Sequence, residues 1–206
     1  MDIPVLFKGA MIGLSIAAPV GPIGVLCIRR TLAEGRLVGL VSGLGAATAD
    51  AAYGSIAAFG LTFISSALVH QQAWLRLVGG LFLCFLGVRT LLARPADQAA
   101  RAQARGLWQS YGSTLFLTLT NPMTILSFAA IFAGLGLGQQ PGDYLSAGLL
   151  VLGVFAGSAT WWLALSSGVG ALRAKFPRAG LLWVNRLSGA VILVFGLVAL
   201  AGLRPG

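Results

Sequence analysis

The stretch YLSAGLLVLGVFAGSATWWLALSSGVGAL occupies residues 144–172 and carries no formal charge. A helix needs about 20 mostly apolar residues to cross the hydrocarbon core of a bilayer, and this run is long enough. It does not alternate as the strands of a membrane barrel do. Backbone in lipid must satisfy its own polar groups, which leaves the α-helix. The rest of the chain has the same character. Of its 206 residues, 57% are hydrophobic, 9% are charged and 29 are glycine, and its mean hydropathy is +0.89. Ordinary soluble domains carry about 25% charged residues. That composition fits neither a water-soluble globule nor a disordered chain. The length allows one bundle, so residues 1–206 are expected to form a single membrane domain.

Five more runs qualify or nearly qualify as spans. They are about Val5–Ile28, Leu37–Ile64, Trp74–Leu92, Tyr111–Ala133 and Leu182–Leu203. Lys8 lies near the start of the first, and Asp50 interrupts the second. Arg76 and Arg89 stand near the ends of the third, where they can snorkel to the interface. A Gly-rich exit follows the Tyr111–Ala133 run as far as Gly142. The first run also resembles a secretory signal, but its basic leader is nearly absent and five spans follow it. The expected fold is an all-α integral membrane bundle of six transmembrane helices.

The net charge of +9 orients these helices rather than marking a nucleic-acid binder. Arg29, Arg30 and Arg36 fall in the gap after span one. Arg89, Arg94, Arg101 and Arg105 fall after span three, and Arg173, Lys175, Arg178 and Arg186 after span five. The positive-inside rule then places these gaps in the cytoplasm and both termini outside. The composition suggests a bacterial cytoplasmic (inner) membrane. Cys27 and Cys84 form no CxxC and read as inert buried thiols. One histidine, His70, excludes a His-rich metal site. No cofactor, metal or nucleic acid is expected as a partner.

The two halves echo one another. Span one carries Ala18-Pro19-Val20-Gly21-Pro22, and span four carries Leu119-Thr120-Asn121-Pro122. Each sits in the first span of a three-span half, so the halves, about 1–92 and 107–206, would be inverted repeats joined by a basic cytoplasmic linker at 93–106. Proline lacks an N–H and costs about 3 kcal/mol in a helix interior. Helices 1 and 4 are therefore expected to break. Half-helix N-termini offer N–H groups to anions, C-termini offer carbonyls to cations, and paired broken helices point to a transporter site near the midplane. Simple kinks are the plainer alternative.

Asp50 is the one acid well inside a span. A charge at the bilayer centre costs about 2.5–3.5 kcal/mol on insertion scales, so this residue should face the interior. It is a candidate proton carrier or ligand for a substrate ammonium. A structural Asp hydrogen-bonded to Thr48 or Tyr53 is the alternative. In span five, Ser158, Thr160, Ser166 and Ser167 offer hydroxyls, and Trp161 and Trp162 lie away from the interfaces. The candidate binding set is Pro19, Gly21, Pro22, Asp50, Tyr53, Thr120, Asn121, Pro122, Ser158 and Trp161. The pairs Gly9/Gly13, Gly39/Gly43 and Gly153/Gly157 fit either close packing or a homo-oligomer. Asn185 and Arg186 start span six and read as interfacial.

With these residues, the chain resembles the LysE/RhtB family of amino-acid exporters over nearly its whole length. The resemblance rests on six hydrophobic segments, Pro19-Val20-Gly21-Pro22, Asn121-Pro122, the acid in Gly45–Tyr53 and the Gly-rich run Gly79–Gly87. Two departures concern the substrate: Met123 follows the Asn-Pro where many members have a basic residue, and Val20 interrupts a Pro-Gly-Pro. The resemblance implies export of amino acids or similar small metabolites, driven by an ion gradient; with Asp50 as the proton carrier, proton antiport is the expected coupling. No phosphate-binding loop ending in Lys-Ser/Thr is present. A cation transporter would want more carboxylates or histidines. A membrane thiol-redox carrier would want a cysteine in the first span of each half, and span four has none.

Overall fold

The computed structural model describes residues 3–19, 21–59, 71–92, 106–135, 144–173 and 178–202. The linker at 93–105, His70, Val20 and the Gly-rich exit after Leu135 lie outside these residues. Among the described residues there are eight helices and no strand. They are α1 (Ile3–Ala17), α2 (Pro22–Glu34), α3 (Arg36–Ala58), α4 (Gln72–Leu91), α5 (Leu107–Leu119), α6 (Pro122–Leu135), α7 (Tyr144–Leu172) and α8 (Arg178–Ala201).

Proline chemistry accounts for both interruptions. α2 and α6 each begin on a proline, where the missing N–H costs nothing because the first turn has no partner to offer it. The run at 5–28 is therefore two helices bent by 81°, and the run at 111–133 is α5 followed by α6. Gly35 makes the turn between α2 and α3 with φ 115°, a value that strains any residue with a Cβ. Its N–H closes onto the Arg30 and Thr31 carbonyls at 3.1 and 3.2 Å.

Among the described residues, α4, α7 and α8 are long and apolar enough to cross a membrane, and α1 with α2 would make a fourth span. α3 has 23 residues, but its glycines, hydroxyls and Asp50 dilute its apolarity. α5 and α6 have 13 and 14 residues, so neither crosses alone. Leu187, Val194 and Val198 on α8 and Leu81, Phe85 and Val88 on α4 are exposed. An apolar outer surface of this kind suits lipid and would be a liability in water.

α1 lies along α7, α3 along both α7 and α5, and α4 along α8. One end of the bundle gathers the Gly35 turn, the start of α5 and the end of α7. There Arg173 donates to the Leu32 and Ala33 carbonyls at 3.0 and 3.4 Å. The opposite end stacks Phe59 on Tyr144 at 6.3 Å, and Arg76 donates to the Gly202 carbonyl at 3.0 Å.

The glycine pairs are used inside the bundle. Gly9 and Gly13 on α1 meet α7 so closely that a Cβ would run into the Leu150 and Val154 carbonyls. Gly153 and Gly157 return the arrangement against Leu6 and Ala10. Gly39 makes room for Thr31, and Gly43 for Trp162. Two apolar clusters form the core. One joins Ala17, Ile23, Leu26, Ala46, Leu117 and Trp162; the other joins Ile12, Tyr53, Ile125, Phe128, Leu150 and Val154.

Candidate functional site

Asp50 lies between these clusters, one turn beyond Ala46 and one turn before Tyr53, and is 3% exposed. Small neighbours on α3 let α7 come close. Ser158 on α7 donates from Oγ to Asp50 Oδ2 at 2.7 Å. Trp162, one turn further along α7, donates from Nε1 to Ser158 Oγ at 3.2 Å. Among the described residues nothing else donates to Asp50 and no cation pairs with it. Its second carboxylate oxygen is left for a proton, a cation or a substrate ammonium.

The partners suggested for Asp50 by sequence are corrected here. Thr48 sits on another side of α3, where it accepts from Tyr111 at 2.8 Å and donates to the Leu44 carbonyl at 2.9 Å. Tyr53 does not bond Asp50 either; its hydroxyl donates to the Leu119 carbonyl at the end of α5. That carbonyl belongs to the backbone freed by the break before Pro122. Its ring packs on Phe128 of α6, with centroids 5.6 Å apart.

The second break is otherwise largely self-satisfied. Thr120 Oγ1 donates to the Phe116 and Leu117 carbonyls at 2.9 and 3.3 Å. Asn121 Oδ1 accepts the Met123 N–H at 3.1 Å, capping α6. The first break is barer. Gly21 is extended and gives α2 no side-chain cap, and a Cβ there would meet nothing within 4 Å. Pro19 is exposed and Pro22 buried. Trp161 is half-buried against the first cluster, so Trp162 is the tryptophan that touches the Asp50–Ser158 pair.

The arginines assigned to the first gap are not in a loop. Arg29 and Arg30 lie on α2 and are 6% and 4% exposed. Arg30 donates through Nη1 to Ser42 Oγ (2.8 Å), the Ser110 carbonyl (3.0 Å) and Thr114 Oγ1 (2.9 Å). Its Nη2 donates to Ser113 Oγ at 2.8 Å. One side chain thus ties α2 to α3 and α5. Arg29 pairs with Glu34 at 3.6 Å and donates to Asn185 Oδ1 at 3.3 Å. Asn185 is 1% exposed, so it is an interior residue and not an interfacial one. Arg30 was missed because basic residues after a span read as orientation signals. The overlooked clue is spacing: Ile23, Leu26, Cys27 and Arg30 share one helix face, and all are buried.

A family model described as LysE type translocator matches residues 14–202. The chain belongs to the LysE type translocators. A Bacillus subtilis protein whose name assigns it to amino acid efflux is 28% identical to this translocator over 191 residues, covering 90% of each chain. The threonine efflux protein of Escherichia coli K12 is 24% identical over 202 residues, covering 91% of the translocator and 93% of the relative. No solved structure matches it. Membership carries a membrane protein that moves a small molecule.

The Tyr53 contact gives a test of how this translocator holds its second break. Tyr53→Phe keeps the ring and removes the donor. Stranding a buried acceptor costs about 1–3 kcal/mol. The variant is expected to unfold at lower temperature than wild type in the same detergent. An unchanged unfolding temperature would show that the Leu119 carbonyl does not depend on Tyr53.

Proposed function

We propose that this chain exports amino acids or similar small metabolites from the cytoplasm by proton antiport with alternating access. The observation that carries the reading is the Asp50–Ser158 hydrogen bond, which joins the two halves of the chain one turn from Tyr53, whose hydroxyl reaches the α5–α6 break. Asp50 carries the proton, and the uncapped start of α2 at Gly21–Pro22 and the α5–α6 break flank the substrate. A zwitterion offers opposite charges to a carboxylate and to a helix N-terminus, which fits such a site.

Alternating access asks for two halves that can rock. The packing supports inverted repeats, because each broken span lays its first helix along the middle helix of the other half. α1 lies on α7 and α5 on α3, while α3 meets α7 and α4 meets α8. The basic end formed by Arg30, Arg173 and the Gly35 turn is the cytoplasmic one under the positive-inside rule. Moving a positive charge outward against an inside-negative potential costs about 2.3 kcal/mol per 100 mV, which proton uptake would offset.

Counterflow in proteoliposomes tests the reading. Vesicles loaded with single unlabelled amino acids are expected to accumulate the matching labelled one, with net export slowed when an ionophore collapses the proton gradient. Absence of exchange with every amino acid tested, from folded and inserted protein, would reject the substrate class. Export indifferent to the ionophore would reject the coupling.

A further inference from the structure

A cavity of about 370 Å³ opens between α2, α4 and α5, away from Asp50. Its volume lies within the range of small-molecule sites, about 300–1,000 Å³. Phe82, Phe85, Leu86 and Arg89 line the cavity from α4, Gln109 and Ser113 from α5 and Arg30 from α2. Two of its described lining residues, Arg30 and Arg89, carry guanidinium groups, and none of the described ones is acidic. The Arg89 guanidinium carbon lies 6.0 Å from the centre of the Phe85 ring, placing this cation against an apolar ring. Phe82 is held edge-on by Phe116 at 5.2 Å. Arg30 is buried and fixed by four donated hydrogen bonds, so it offers a preorganised charge. Gly112 lines the cavity, and a Cβ there would meet nothing within 4 Å.

We propose that this cavity is a second binding site, taking a small solute with a carboxylate at one end and an apolar group at the other. Arg30 and Arg89 hold the carboxylate, because guanidinium groups match its two oxygens and lose little entropy in doing so. Phe82, Phe85 and Leu86 cover the apolar part. The site lies at the basic end of the bundle. On the export reading, on which this assignment of a role rests, that is where cargo is collected before it reaches Asp50. Arg30 is also the tie from α2 and α3 to α5. A carboxylate that draws its guanidinium toward the cavity competes with Ser113 and Thr114 and loosens that end.

The test is binding, measured apart from transport. Purified full-length protein in nanodiscs of zwitterionic lipid is titrated calorimetrically with leucine, 4-methylpentanoate and leucinamide. Leucine and 4-methylpentanoate are expected to bind, and leucinamide, which lacks the carboxylate, at least tenfold more weakly. Gly112→Leu fills open space and Arg89→Gln removes one charge, and each is expected to weaken leucine at least tenfold. Unfolding temperatures near wild type would show that both variants fold; should Gly112→Leu misfold, Arg89→Gln decides. Equal affinity for leucinamide, no wild-type binding, or insensitivity to Arg89→Gln would overturn the assignment. So would anionic lipid that co-purifies with wild type, blocks leucine and is lost in Arg89→Gln, since the cavity would then hold a headgroup phosphate. Carboxylate-dependent binding by a protein that exchanges no amino acid would defeat the export reading and leave the site standing.

Discussion

Asp50→Asn is expected to reduce amino-acid exchange to background in protein that still inserts and purifies as wild type does. The substitution is nearly isosteric, and an amide oxygen can still accept the Ser158 hydroxyl that Asp50 Oδ2 accepts at 2.7 Å. Packing around it, where Ala46, Ala47 and Ala49 are almost completely buried, is left intact. What disappears is the ability to hold a negative charge or pass on a proton. A residue serving only structure would tolerate the change, because an unpaired buried carboxylate contributes little to stability compared with a neutral group of the same shape. Counterflow and net export measured side by side separate two roles. Loss of net export with counterflow retained assigns Asp50 to proton coupling alone, and loss of both assigns it to substrate binding as well. Wild-type rates in both assays from a well-expressed Asn variant would remove Asp50 from the mechanism.

Gly157→Ala and Gly13→Ala are expected to be the most damaging single-methyl changes in the bundle. A Cβ on Gly157 would run into the Ala10 carbonyl oxygen, with the Ala10 Cα 2.9 Å away; on Gly13 it would run into the Val154 carbonyl. Both obstacles are backbone and cannot swing aside, so α1 must move off α7. Overpacking of this kind costs about 1–3 kcal/mol, and more where nothing can relax. Gly148 and Gly168 lie on the same helix, and a Cβ on either would meet nothing within 4 Å. Alanine there should be neutral or gain up to about 1 kcal/mol from helix propensity. Thermal unfolding of the four variants in one detergent checks the contrast. Equal behaviour of Gly157→Ala and Gly148→Ala would mean that α1 does not seat on α7 as described.

Much of this architecture was readable from single residues. The charge-free run at 144–172 has the bounds of α7, and Pro22 and Pro122 open α2 and α6, because proline acts through its own backbone. Asp50 was singled out for the same reason: a charge among apolar residues needs no neighbour to look costly. The partners were not readable. Ser158 is 108 positions from Asp50, and hydroxyls are common throughout α7, so only tertiary packing selects it. Arg30 and Asn185 failed differently. Each sits beside a basic neighbour near the end of an apolar run, where position suggests an interface. Packing of α2 against α3, α5 and α8 instead encloses them, and no local pattern reports that enclosure.

Tyr53 has a mechanical consequence. It stands one turn beyond Asp50 on α3, and its hydroxyl holds the Leu119 carbonyl at the end of the neighbouring α5. α3 cannot slide against α7 to release Ser158 without either dragging that end along or letting it go. The carboxyl of Asp50 and the helix break before Pro122 are thus geared together through a single rigid rod.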